Sequence, residues 1–159
     1  MGKEVKTKAM RILDRNKVPY EILNYECDEF IDGLHTAQAT GAPVEQSFKT
    51  LVAKGKSGGY YVFVIPIAEE VDLKAAARSV GEKSVEMIHV AEINRVTGYI
   101  RGGCSPLGMK KPYCTVFDSS CRNFEQIVVS AGKIGVQVDV EVEALLALCS
   151  AGVAPITAP

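Results

Sequence analysis

The sequence predicts an α+β fold: one domain in which a curved, mixed and largely antiparallel sheet is flanked by helices. At 159 residues the chain has the length of a single domain with a sizeable core. Segments rich in β-branched and aromatic residues outnumber segments with helical spacing, and most links are short. The regular strand–helix alternation of a doubly wound sheet is missing. We expect residues 1–150 to form the domain and residues 151–159 to be a frayed, flexible tail.

Helices are predicted where apolar residues recur at intervals of three or four. This spacing indicates a helix over residues 3–16, which Pro19 is expected to stop. Asp72 is a suitable N-cap for a further helix that ends near Gly81. Additional helices are expected over residues 34–42, 91–96 and 141–149.

Strands are predicted from short apolar runs bounded by turn residues. Residues 48–53 and 60–67 flank the glycine-rich segment 54–59, which is typical of a hairpin. The remaining strands are expected at residues 20–25, 85–88, 114–118, 126–130 and 136–140.

Composition excludes several classes of protein. Apolar residues make up 47% of the chain and charged residues 23%, values of a globular protein. No apolar run approaches the roughly 20 residues of a membrane helix, and the charged N-terminus is no secretory signal, so a cytoplasmic location without membrane association is expected. The net charge of −1 argues against a large autonomous nucleic-acid surface, so any such contact should be local or shared with a partner.

The cysteines and histidines indicate neither disulfides nor a metal. Five cysteines without C-x-x-C spacing favour free thiols in a reducing compartment. His35 and His89 stand far from any paired cysteines, so no metal or other cofactor is predicted.

The main candidate site combines a lysine with a glycine-rich loop. Lys49 lies in an apolar strand, where a charge is costly without an anionic partner. Residues 102–108 (GGCSPLG) combine permissive glycines with a proline that holds the turn. Together they suit an anion or a polarised carbonyl. A simpler interpretation stays open for each feature. Lys49 could be a lysine that reaches solvent from a strand edge, and residues 102–108 could be only a tight connection between two elements.

Nearby candidates extend this site without supplying a nucleophile. A third polar turn, residues 130–135, is by default a hairpin loop, but it would bring Ser130 into the same pocket if it lay beside loop 102–108. Cys104 is a possible nucleophile without a histidine in a recognisable pairing pattern, and Ser105 lacks the nucleophile-elbow motif. Six cations flank these loops, either as an ordinary solvated surface or as a guide for a polyanion: Lys54, Lys56, Arg101, Lys110, Lys111 and Lys133.

Four separated segments together resemble the YbaK/EbsC proteins. They are residues 48–52 (FKTLV), 97–99 (TGY), 102–108 (GGCSPLG) and 129–133 (VSAGK), in the order of the family. The resemblance runs from about residue 20 to residue 145. It implies the fold of the editing domain of prolyl-tRNA synthetases and the activity of a trans-editing deacylase. Such an enzyme hydrolyses the ester of cysteine mischarged onto proline tRNA, and its implied partners are the charged acceptor end of tRNA(Pro) and prolyl-tRNA synthetase.

The resemblance also implies roles for individual residues. Lys49 would anchor the terminal adenosine or its phosphate, or polarise the ester, and Gly103 and Pro106 would form the loop whose amides orient the aminoacyl carbonyl. Ser130 would line the pocket. Substrate-binding positions are further implied at Tyr20, Phe30, Gly102, Ser105, Gly132 and Lys133.

Catalysis in this family is thought to need no protein nucleophile, because the thiol of the substrate or the ribose 2′-hydroxyl takes part. The missing triad agrees with this, and the cysteines, Cys104 included, would be bystanders. The chain departs from the family after Lys133, where Ile134 and Gln137 replace an arginine and an acid, and Asp139 lies two residues beyond Gln137 on the same strand face. Alternatives are a deacylase for another small aminoacyl-tRNA and a non-catalytic module that binds aminoacyl-adenosine or a synthetase.

Overall fold

The computed structural model describes residues 6–24 and 43–159, so the helix expected over residues 34–42 lies outside the described residues. In those two stretches the chain has the predicted α+β character. The helices are α1 (Lys8–Arg15), α2 (Leu73–Ser79), α3 (Val90–Thr97) and α4 (Val142–Cys149). The strands are β1 (Tyr20–Asn24), β2 (Phe48–Gly55), β3 (Tyr60–Pro66), β4 (Val85–Met87), β5 (Cys114–Asp118), β6 (Gln126–Lys133), β7 (Val136–Glu141) and β8 (Gly152–Ala154).

The described strands form two sheets that are joined at one edge. The three-stranded sheet has the order β1-β7-β6 and is antiparallel throughout. The five-stranded sheet has the order β4-β2-β3-β5-β8, in which β2 is antiparallel to β3 and β4, and β5 is parallel to β3 and β8. A parallel bridge between Ser47 and Val128 connects the start of β2 to β6. The predicted mixed, largely antiparallel sheet is therefore confirmed, divided into two parts.

The larger core lies on one face of β6 and β7. Val129 and Val138 face each other across these strands and have no exposed surface, and Phe48 of β2 joins them. Helices α1 and α4 cover this face with Leu13 and Leu145, which are also fully buried. Burial of this apolar surface is the main force that holds the helices against the sheet.

Helix α1 is shorter at both ends than the spacing predicted. Thr7 is its N-cap, with an Oγ1 that accepts a hydrogen bond from the Met10 amide at 3.2 Å. The helix ends at Arg15, and Lys17 follows in the left-handed conformation with φ 58°. Pro19 therefore does not stop the helix, because the chain has already turned before it reaches the proline.

The expectation of a frayed tail at residues 151–159 was wrong. Strand β8 extends the five-stranded sheet beside β5. Beyond it, Ile156 fills a smaller core between this sheet and α2, with no exposed surface, and its carbonyl accepts from the Asp72 amide at 2.7 Å. The short run of small residues and prolines hides this role, because the strand that it pairs with is distant in sequence.

Asp118 holds the tail in place through its buried carboxylate. Its Oδ1 accepts from the Ile156 amide at 3.0 Å, and its Oδ2 accepts from the amide and hydroxyl of Ser120. Buried carboxylates are stable when they are hydrogen-bonded in this way. The end of the chain is therefore tied to the sheet by both apolar and polar contacts.

Ile156→Ala tests the packing of the tail. We expect it to lower the free energy of unfolding by about 2–5 kcal/mol, because it empties a fully buried site. Ile100→Ala is the matched control, since Ile100 is 54% exposed and its truncation should cost less than about 0.5 kcal/mol. Urea denaturation measures both variants, and equal small effects would show that the tail is loosely held.

Candidate active site

Lys49 lies near the junction of the two sheets. It lies on β2 opposite Ile65 of β3, partly buried, and forms no hydrogen bond or ion pair with the described residues. Burial lowers the pKa of the Lys49 ammonium, and the nearby carboxylates of Glu70 and Glu69 offset that effect only in part. The group is therefore a partly desolvated cation without an ion-pair partner among the described residues.

The bridge between Ser47 and Val128 aligns Lys49 with Ser130. Each lies two residues beyond the bridge on its own strand, and the two strands run parallel there. Because side chains alternate along a strand, both residues face away from the larger core, in which Phe48 and Val129 are buried. The structure thus places two predicted site residues on the same face of the joined sheets.

Loop 102–108 lies directly against the turn between β6 and β7. A Cβ atom at Gly103 would stand 3.1 Å from the backbone nitrogen of Ile134 and 3.2 Å from the carbonyl carbon of Lys133. Only glycine allows two backbones to approach so closely. The condition under which Ser130 was expected to share a pocket with this loop is therefore met.

The loop leaves some of its amides available to a ligand. The Gly103 amide donates to Ile100 O at 2.9 Å, and the Leu107 amide donates to Ser105 Oγ at 3.2 Å. In the two described stretches the amides of Gly102, Cys104, Ser105 and Gly108 have no hydrogen-bond acceptor. These amides are available to a ligand, while Gly103 provides the close approach.

Ser105 and Pro106 are the buried residues at the centre of the loop. Ser105 has no exposed surface, and its hydroxyl is engaged by Leu107. Pro106 is buried as well, and its carbonyl lies 3.5 Å from Cys149 Sγ. Their observed contacts hold the shape of the loop, and the substrate-binding role predicted for Ser105 stays a prediction.

Tyr99 clamps the loop onto the turn. Its hydroxyl donates to Leu107 O at 2.5 Å. Its ring lies so close to Gly132 and Gly108 that Cβ atoms there would stand 2.9 and 2.8 Å from the tyrosine. Both glycines have positive φ, 97° and 79°. From the sequence, Tyr99 was recognisable only as part of the TGY motif, and the two glycines that flank its ring were the signal for its contacts.

Cys104 has the electrostatics of an inert thiol. Burial raises its pKa to about 12, against a smaller lowering by a hydrogen bond with Thr97. Burial alone raises the pKa of Cys149 to about 12. A thiol with such a pKa is protonated at neutral pH and is a poor nucleophile. Cys104, Cys114, Cys121 and Cys149 are free, and Cys27 lies outside the described residues.

The remaining predicted site residues do not all lie beside Lys49 and loop 102–108. Tyr20 pairs with Val140, packs against the larger core and reaches Asp14 of α1, so it lies on the sheet face opposite to Lys49 and Ser130. The structure does not bring Tyr20 to the site. Lys133 ends β6 with an exposed side chain beside the loop. Phe30 and His35 lie outside the described residues.

Residues 6–24 and 43–159 contain neither a metal cluster nor a membrane-spanning helix. There, histidine, cysteine and acidic side chains form no cluster of three or more that suits a metal ion. The helices of these stretches are too short and too polar to cross a bilayer.

Comparison with known sequences identifies the kind of protein to which this site belongs. Residues 34–148 match the family described as the aminoacyl-tRNA editing domain. A candidate Cys-tRNA(Pro)/Cys-tRNA(Cys) deacylase of Enterococcus faecalis, EbsC, is 42% identical over 153 residues, which are 96% of this chain and 93% of that protein.

Solved structures share the fold. A candidate trans-editing enzyme for prolyl-tRNA synthetase superposes with a TM-score of 0.82 at 24% identity, covering 98% of this chain and 100% of the other. A hypothetical protein superposes with a TM-score of 0.86 at 19% identity, covering 95% and 99%. At these identities the likeness concerns the fold alone.

The fold and the family match together define an aminoacyl-tRNA editing enzyme, a hydrolase of aminoacyl esters. The chain belongs to the aminoacyl-tRNA editing domain family, in agreement with the resemblance that its motifs showed.

Gly132→Ala tests whether the contact with Tyr99 positions the loop. We expect a loss of activity of tenfold or more, because the new methyl group displaces the tyrosine ring. Gly58→Ala is a matched control: Gly58 has φ 98° with nothing within 4 Å of its Cβ position. Both changes should cost about 1–2 kcal/mol of backbone strain, but only the first should lower kcat of aminoacyl-tRNA hydrolysis. Equal activities would exclude a positioning role for the contact.

Proposed function

We propose that the protein hydrolyses the ester of mischarged Cys-tRNA(Pro) and releases cysteine and free tRNA(Pro). The observation that carries this is the combination of a partly desolvated lysine that forms no ion pair with the described residues and a loop that has free amides at the same end of the joined sheets. The choice of cysteine is supported by the Enterococcus faecalis relative, whose name specifies Cys-tRNA(Pro) and Cys-tRNA(Cys).

In this proposal the site stabilises the oxygen that gains charge during ester cleavage. The Lys49 ammonium and the unpaired amides of loop 102–108 are donors for that oxygen. Donors that are already fixed in a poorly solvated site stabilise developing charge more strongly than water does. In the net reaction one water is consumed, the ester C–O bond breaks, and the tRNA regains its ribose hydroxyl.

In this proposal the substrate itself supplies the group that assists cleavage of the ester. The protonated state of Cys104 leaves the loop without a thiolate, and His89 caps α3 through its backbone amide, which donates to Glu92. The ribose 2′-hydroxyl and the cysteine thiol are both part of the bound substrate. Orienting two groups of one molecule can supply a large part of the rate acceleration.

We further propose that tRNA reaches this site with help from prolyl-tRNA synthetase, in the cytoplasm. The net charge of −1 gives the chain little general attraction for a polyanion. Arg101, Lys110, Lys111 and Lys133 are exposed around the loop and would contact only the acceptor end. A structural neighbour is itself described as acting in trans for that synthetase.

Deacylation of a panel of charged tRNAs tests the function. Cys-tRNA(Pro) should lose its amino acid rapidly, whereas Pro-tRNA(Pro) should be spared, with Ala-tRNA(Pro) as the size-matched competitor. Each tRNA is incubated with and without prolyl-tRNA synthetase. Faster release of alanine would redirect the assignment to another small amino acid. If no amino acid is released from any tRNA under either condition, the enzymatic function is wrong and the protein is a binding module.

Variants of two loop and strand residues test the chemistry. Lys49→Ala should lower kcat by about a hundredfold or more, because it removes the ammonium from the carbonyl oxygen. The control is Lys54→Ala, on the same strand but exposed over the Tyr60 ring, which should retain activity. Cys104→Ala should stay within about twofold of the wild type. A severe loss in Cys104→Ala, with Lys49→Ala active, would reverse the assigned roles.

A further inference from the structure

The face that carries Ser130 also carries polar residues on the other two strands of the three-stranded sheet. Ser130 pairs with Gln137, and Val128 pairs with Asp139, which in turn pairs with Glu21 of β1. Paired residues in a sheet present their side chains to the same face. Gln137 and Asp139 therefore lie on the Ser130 face, which is the face to which the bridge also directs Lys49.

Both residues hold a buried acceptor without a donor. The side-chain oxygens Gln137 Oε1 and Asp139 Oδ1 are inaccessible to water and accept no hydrogen bond within the described stretches. Gln137 is only 9% exposed. A buried polar atom without a partner costs about 1–3 kcal/mol, so two of them on one face are rarely left without a purpose.

The electrostatics of this face favour a cation as the missing donor. Burial raises the pKa of the Asp139 carboxyl, and the charge of Glu21 raises it further. A buried carboxylate oxygen beside a buried amide oxygen attracts a positive group that can donate several hydrogen bonds. Lys49 does not fill this role, because no ion pair joins it to either carboxylate.

We propose that Asp139 and Gln137 bind the α-ammonium group of the aminoacyl ester. This inference rests on the proposed function, which places an aminoacyl group between Lys49, Ser130 and loop 102–108. An α-ammonium carries three donors and one positive charge next to the ester carbonyl, so it supplies what the two orphan acceptors lack.

Recognition of the amine has a consequence for substrate choice. An N-acylated ester has lost the charge and most of the donors, so the two acceptors would remain buried and unsatisfied when it binds. A site built to hydrogen-bond a group rejects an analogue that lacks it more strongly than an apolar pocket does. The enzyme should therefore act on free aminoacyl groups and reject formylated or peptidyl ones.

Binding of non-hydrolysable analogues tests this without relying on turnover. The probes are adenosine with cysteine joined to the ribose through a 3′-amide, and the N-acetylated form of the same molecule. The wild type should bind the free amine about tenfold to a hundredfold more tightly, as measured by calorimetry. Asp139→Asn should remove most of that preference while its affinity for the N-acetyl probe stays the same.

Glu21→Gln is the matched control, because Glu21 lies in the same cross-strand row but is exposed. It should keep most of the preference. Equal binding of both probes by the wild type, or equal weakening of both by Asp139→Asn, would overturn the amine site and leave the proposed function intact. Binding of neither probe would overturn the amine site and count against the proposed function, which the charged-tRNA panel tests separately.

Discussion

The bridge between Ser47 and Val128 is the contact on which the arrangement of the site depends. It places the start of β2, a strand of the five-stranded sheet, beside β6 of the three-stranded sheet. On one side of this junction Phe48 and Val129 enter the larger core, and their burial fixes the relative position of the strands. Alternation then sends Lys49 and Ser130 to the other side. Hydrophobic packing on one face thus sets the geometry of the polar face.

That polar face is organised for binding and orientation more than for stability. A partly desolvated lysine and two buried acceptors without donors all oppose folding, and the apolar cores have to compensate for them. Such groups become favourable only when a ligand supplies the complementary charge or donor. The thiol in the loop is held protonated, so the chemical work assigned to the protein is to place and polarise the substrate.

The contact between loop 102–108 and the 130–135 turn was posed only as a condition, whereas the fold class and the hairpin of β2 and β3 were predictable from local signals. Glycine spacing and apolar runs carry that information, since both act over a few residues. The packed tail was not predictable, because Ile156 and Asp118 meet only after the chain has folded. The Tyr20 placement was missed for a similar reason: the pairing of Tyr20 with Val140 decides which face its ring occupies. The orphan acceptors of Gln137 and Asp139 also required the pairing between strands.

The central claim is that the fold leaves Lys49 as the partly desolvated cation of the site. Titration of the Lys49 ammonium tests this claim most directly. In ¹⁵N-detected NMR of the folded protein, with Lys49→Ala used to assign the signal, the Lys49 ammonium should titrate below the ordinary value of 10.5. Addition of the non-hydrolysable cysteinyl-adenosine should change its chemical shift and protect it from exchange with water. A signal that titrates at the ordinary value and ignores the ligand would contradict the assignment of Lys49 as the cation of the site.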